Sequence, residues 1–209
     1  MITADYFQLP YVSNSKLTEL WLMLSGREMP DVREALAFGS LFDAILTEPH
    51  RINTYLKTLD GNPAKDFDRA MKMKNALLSD PRVRDIFDKS SFQKISIRQK
   101  GFEYHGIPFE LTCKCKWDFY GPLSGDIKST VATNQKGFEA ACEYLQYYRA
   151  RAWYMDIDNT DKDLIIGVSK VNYKIFFVPV RRDDEKYNKG KQQYTELAFK
   201  YWMLENINK

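Results

Sequence analysis

The sequence predicts an α/β fold with a central mixed β-sheet flanked by helices. Helical periodicity fills residues 1–90, whereas from residue 91 onward period-2 alternation sets in. A helical stretch then separates three strands from two more, so the order is helices, three strands, a long helix, two strands and a helix. The 209 residues suffice for one core, and the expected organisation is a single domain over 1–209, helical in 1–90 with the sheet in 91–209.

The first helix is expected to start at Ser13 or Ser15, with Leu17, Leu20, Trp21 and Leu24 spaced along one face. A loop through Gly26 and Pro30 leads to a second helix, about Asp31 to Leu46, stopped by Pro49. A third runs from about Lys65 to Leu78, followed by a short helical turn through Ile86 and Phe87. Gln93 to Gln99 and Ile107 to Asp118 alternate as strands. In the second, Phe109, Leu111, Cys113, Cys115 and Trp117 share one face, with Glu110, Thr112, Lys114, Lys116 and Asp118 on the other. Glu110 is expected to neutralise a lysine across the sheet. A turn through Gly121 and Pro122 returns the chain into the strand of Asp126 and Lys128. One long helix is expected over Gln135 to Met155, then strands Leu164 to Val168 and Lys174 to Val180. A charged loop, Arg181 to Gly190, precedes the last helix.

Composition narrows the function classes. Hydrophobic residues make up 44% and charged residues 28%, the balance of a folded globular chain rather than a disordered one. No run of 18 apolar residues occurs, and MITADYFQLP lacks the basic and apolar regions of a leader, so a cytoplasmic protein without membrane contact is expected. The net charge of +3 permits a local basic groove without demanding one. Cys113, Cys115 and Cys142 read as buried thiols, since an odd count without CxxC spacing suits neither a disulfide framework nor a cluster.

The chemistry lies in Lys116-Trp117-Asp118-Phe119-Tyr120 and Gly125-Asp126-Ile127-Lys128-Ser129-Thr130. A hairpin between them brings Asp118 beside Asp126, and strand alternation points Lys128 the same way as Asp126. Two carboxylates are hard oxygen ligands for Mg²⁺ or Mn²⁺, and an adjacent ammonium can orient or activate water against a phosphodiester. Taken alone, D-x-K is common, and a solvated surface hairpin is its ordinary explanation.

Four segments supply context. Ser13-Asn14-Ser15-Lys16-Leu17 matches an S-x-S-x-L helix start. Gly39 to Asp43, continuing to Glu48-Pro49, follows a G-x-x-x-H-x-x-x-x-x-P helix; Gly106 through Lys114 to Asp118, then Asp126-Ile127-Lys128-Ser129-Thr130, supply the strand motifs. Tyr147 to Tyr154 falls where a Q-x-x-x-Y helix follows. In this order they resemble the PD-(D/E)XK nuclease superfamily, in its RecB/RecE-like and lambda-exonuclease-like phage and prophage branch.

The resemblance implies a restriction-endonuclease-like core and a Mg²⁺- or Mn²⁺-dependent DNA exonuclease of the phage recombination type. Asp118, Asp126, the carbonyl of Ile127 and Asp43 would hold metal, and Lys128 would position or deprotonate the attacking water. DNA is the implied partner. The branch also admits a homo-oligomer and a single-strand annealing protein partner, for which no residue here speaks.

Two positions depart from the family pattern. Asp43 stands where the family has histidine and Ala150 where it has glutamine. From periodicity alone Asp43 turns to solvent; its family position makes it a ligand, which an aspartate can be for Mg²⁺. Arg149 and Arg151 flank Ala150 and are the candidates to take over phosphate contact, with Tyr154 at the site edge and Ser129 and Thr130 at the strand end. The same departures favour the alternative, a weak or inactive nucleic-acid-binding module of this fold. A plain α/β interaction domain is the third reading, separated from both by whether Asp118, Asp126 and Lys128 converge.

Overall fold

The structure is a computed structural model, and it describes residues 6–26 and 33–207. Asp31, the expected start of the second helix, lies outside the described residues. Among the described residues no helix is long and apolar enough to cross a membrane.

The N-terminal helices are α1 (Asn14–Ser25), α2 (Arg33–Thr47), α3 (Ile52–Leu56), α4 (Pro63–Ser79) and α5 (Pro81–Asp88). Their starts follow from capping chemistry: Ser13, Asn62 and Asp80 each accept a first-turn backbone N–H, and proline opens α4 and α5. Beyond Pro49 the chain adds a short 3₁₀ turn and α3 where a simple stop was expected.

The sheet has five strands in chain order: β1 (Ser91–Tyr104), β2 (Ile107–Tyr120), β3 (Ser124–Thr130), β4 (Lys162–Ser169) and β5 (Ile175–Arg181). It is mixed, as the sequence predicts. The β3–β4 pair is parallel and the other neighbours are antiparallel. The β3-to-β4 crossover is two helices, α6 (Gln135–Tyr144) and α7 (Tyr147–Asp158), instead of one long helix. The break falls at Gln146, whose φ of 56° is incompatible with helix continuation. Tyr144, the last residue of α6, is exposed. The last helix, α8 (Glu185–Ile207), starts within the expected charged loop, because Asp184 accepts from Tyr187 N and initiates it early. Cys113, Cys115 and Cys142 are buried free thiols.

Each sheet face has its own core. One is built from α1, α6, α7 and α8 around Trp117, Phe138, Trp153 and Tyr194. The other is built from α2, α4 and α5 around Leu41, Phe42, Met73 and Leu77. Strand β2 serves both, because its alternation changes phase at Asp118. Trp117 packs in the first core and Phe119 in the second, although they are two residues apart. The cause is local: the β1–β2 register omits the Gln93/Asp118 pair, and Gln93 has φ 56°.

Strands β2 and β3 are joined in the ladder by one pair, Phe119↔Gly125, and then part. Gly125 permits that contact: a Cβ there would lie 2.0 Å from Leu164 O and 2.5 Å from the Phe119 ring. Where the strands part, the sheet opens towards α2 on one side and α7 on the other.

Candidate active site

In the opening between β2 and β3, Asp118 supplies what the ladder does not. Its Oδ2 accepts from Ile127 N at 2.7 Å. Asp118, next along β2 from the Phe119↔Gly125 pair, thereby lies beside Asp126. Lys128 Nζ lies 2.6 Å from Asp126 Oδ2 and 5.4 Å from the centre of the Tyr147 ring. The structure therefore brings Asp118, Asp126 and Lys128 together.

Asp43 reaches the same place from α2. Its neighbours Leu41, Phe42, Ala44 and Ile45 are all buried, and Asp43 itself is half-buried rather than turned to open solvent. Burial, the Asp126 charge and Glu48 push its carboxyl up to about 7 against the opposing pull of Lys128 and Lys116. Asp118 is raised well above the carboxylate range, by burial and by repulsion from Asp126 and Asp43. Burial works to raise Asp126 as well, but Lys128 and Arg151, with hydrogen bonds from Lys128 and Asp118, hold it below the ordinary range. Burial opposes the Lys128 charge, yet Asp126 and Asp118 outweigh it and hold the amine protonated. Lys128 thus presents its ammonium to Asp126.

The remaining candidates are placed differently from expectation. Arg149 is buried; its guanidinium donates to Asn14 Oδ1 at 3.0 Å and to Gln146 and Thr18, so it ties α7 to α1 instead of facing a phosphate. Arg151 is also buried, between Asp126 and Asp163, with its guanidinium 4.1 Å from the Tyr154 ring centre. Successive helical residues project about 100° apart, and α7 buries Arg149, Arg151, Ala152 and Trp153 because the sheet, α1 and α8 cover it on several sides. Tyr154 walls the Arg151 guanidinium. Thr130 Oγ1 accepts from Ala132 N, which starts the next turn, and Ser129 is half-buried opposite Val168 of β4. The Ile127 side chain is buried in the α2/α4 core.

Sequence reasoning missed two residues beside the site. Asp163 is the second residue of β4 and has a side chain with no exposure. Glu48, at the end of α2, pairs with Lys116 at 3.6 Å and with Arg51 at 3.3 Å. The signal for Asp163 was an acid at the start of an otherwise apolar strand, costly to bury without a partner. Lys114, expected beside Asp118 on the strand face, is buried elsewhere and donates to the Tyr6 and Leu9 carbonyls. Glu110 bonds Gln99 rather than a lysine.

The chemistry of the donor set suits a hard divalent cation: Asp118, Asp126 and Asp43 offer only oxygen, and their mutual repulsion is what a cation would relieve. Among the described residues, no three His, Cys, Asp or Glu side chains already stand in a metal-holding cluster. The set is two carboxylates at the strand gap with a third in electrostatic reach.

This electrostatics gives the stability a defined pH dependence. Asp43 and Asp163 are raised to about 7, and Asp118 is also raised. Stabilisation from such groups is complete below the unfolded carboxylate range and is lost as pH rises through their folded values. Asp126 has the opposite sign, losing its contribution only as pH falls below the ordinary carboxylate range. In a chelator, unfolding free energy is expected to fall by about 2 kcal/mol for each group held near 7, several kcal/mol in all, between pH 5 and pH 8. Urea unfolding across that window checks it, and a free energy that rises with pH would show the three groups ionised without penalty.

No curated protein matches the chain. Among solved structures it is similar to SSO0001, with 10% identity, 92% of this chain and 87% of that chain covered, and a TM-score of 0.40. It is also similar to a phage related exonuclease from Haemophilus somnus 129PT, with 16% identity, 94% and 95% covered, and a TM-score of 0.43. Neither likeness is close enough to carry an argument about activity. The model of one family matches residues 19–206, almost the whole chain and the entire sheet with its site, and the chain therefore belongs to the PDDEXK-like domain of unknown function (DUF3799).

Proposed function

We propose that this chain is a DNA nuclease dependent on Mg²⁺ or Mn²⁺, working as an exonuclease of the phage recombination type. The observation that supports it most is the meeting of Asp118, Asp126 and Lys128 at the gap between β2 and β3, with Asp43 brought in by α2. Asp118, Asp126, Asp43 and the Ile127 carbonyl would hold the cation. Bound there, the cation supplies an electrophilic contact for the scissile phosphate and acidifies a water. Lys128, kept cationic by Asp126 and Asp118, orients that water and offsets charge building on the phosphate. Ile127 N holds Asp118 Oδ2, which fixes that carboxylate before substrate arrives. DNA as substrate and ends as its point of attack rest on the sequence resemblance.

The second reading, a module that binds nucleic acid without cutting it, is favoured by one observation. Ala150 replaces the family glutamine, and both flanking arginines are turned into the protein instead of standing in for it. Incubating linear and covalently closed duplex DNA with the protein in Mg²⁺, Mn²⁺, Ca²⁺ or chelator separates the readings. Loss of linear DNA in Mg²⁺ or Mn²⁺, with closed circles intact, is the expected result. Cutting of closed circles would make it an endonuclease, and no cutting with any cation would leave the binding module.

A further inference from the structure

Behind Asp126 lies a buried arrangement that the cleavage chemistry does not use. Arg151 and Asp163 are 2% and 1% exposed. The Arg151 Nη1 sits between two carboxylates, 3.8 Å from Asp126 Oδ1 and 3.6 Å from Asp163 Oδ2. Both separations exceed a hydrogen bond. Among the described residues Arg151 Nε and Nη1 and both oxygens of Asp163 have no hydrogen-bond partner. Two unsatisfied donors therefore share a buried site with two unsatisfied acceptors, which is costly unless some arrangement of the same groups joins them.

The surroundings allow such an arrangement. The guanidinium lies against Tyr154 at 4.1 Å and Trp117 at 5.6 Å, two aromatic rings that constrain its plane more than its position within the plane. A shift of about 1 Å towards β4 would bring charge-assisted hydrogen-bond distance to Asp163. Asp126, whose other oxygen is taken by Lys128 at 2.6 Å, draws the guanidinium the other way from slightly farther off.

We propose that Arg151 is shared between two seats, one against Asp126 and one against Asp163, and that a divalent cation binding at Asp126 gives it wholly to the second. This rests on the nuclease reading above and adds a device to it. A cation on Asp126 neutralises the pull on Arg151 from that side and repels the guanidinium, while the carboxylate of Asp163 receives it. Asp163 is then a positioning residue: it touches no substrate, and acts by removing a competitor from Asp126. A binding-competent state populated only in part weakens apparent affinity by that fraction. If loss of Asp163 leaves Arg151 on Asp126 nine-tenths of the time, cation affinity falls about tenfold.

The test is calorimetric titration of the full chain with Ca²⁺ in the absence of DNA, with thermal melting to show that each variant folds. Asp163→Asn, which takes the charge from the second seat, is expected to bind Ca²⁺ about tenfold more weakly than wild type. Arg151→Gln combined with Asp163→Asn removes the competitor too, and is expected to return within about threefold of wild type. General loosening of the site would instead leave the double variant as weak as the single one. Asp163→Asn binding as tightly as wild type, or a double variant as weak as Asp163→Asn, overturns the two-seat assignment. Were Asp163→Asn unable to fold, the double variant alone decides, and a tenfold loss in it overturns the assignment. Wild type that binds Ca²⁺ and cuts DNA keeps the nuclease reading whatever these variants do. Wild type that binds no divalent cation removes both.

Discussion

Replacing Lys128 with alanine is expected to slow DNA cleavage by about 10²–10⁴-fold while leaving cation and DNA binding in place. The ammonium lies 2.6 Å from Asp126 Oδ2, so it occupies an oxygen that a cation would also seek. Removing it takes away a competitor and a water-orienting donor in the same step. Ca²⁺ affinity in Lys128→Ala should therefore equal or exceed that of wild type, even as the rate collapses. Without cation the variant leaves Asp126 and Asp118 less neutralised and should melt lower; saturating Ca²⁺ should recover most of the difference. Single-turnover cleavage and calorimetry together check this. A variant that loses Ca²⁺ affinity in proportion to its rate would assign Lys128 to holding the carboxylates rather than to the water.

The split between rate and binding follows from a part of the site that was legible in the sequence. The short Gly/Pro turn sufficed to bring Asp118 beside Asp126, and period-2 alternation along β3 to set Lys128 on the same side as Asp126, because both are local properties of the chain. Helix starts at Ser13, Asn62 and Asp80 are likewise local capping events. What escaped was set by tertiary contact. Alternation along β2 gives no warning that Trp117 and Phe119 enter different cores, since the phase change is made with Gln93 on another strand. The break at Gln146 hides in a helical pattern with no proline or glycine at that point. Its left-handed φ separates α6 from α7. Arg149 and Arg151 read as surface cations because arginine is rarely buried unless paired. Their partners, Asn14 and Asp163, are distant in sequence and come close only in the fold.

Asp43 is where the two kinds of information meet, and its substitution should separate function from stability. The carboxylate interrupts an apolar helix, and its pKa is pushed up to about 7 by burial and the Asp126 charge. A group held this way is a burden on the fold above neutral pH and an asset when a cation is present. Asp43→Ala is expected to lower the Mg²⁺-dependent rate by about 10²-fold or more, because it removes a proposed ligand. At pH 8 in chelator, the same variant should be more stable than wild type by roughly 1 kcal/mol, because the buried carboxylate no longer has to ionise. Asp43→His supplies a neutral donor and is expected to keep part of the activity, with Mn²⁺ favoured over Mg²⁺ since imidazole suits the softer ion. The measurements are cleavage rates in the two cations and urea unfolding at pH 8. Opposite movement of rate and stability in Asp43→Ala fits a ligand. A fall in both would mean that Asp43 supports the packing of α2 on β3, and unchanged values in both variants would put it outside the site.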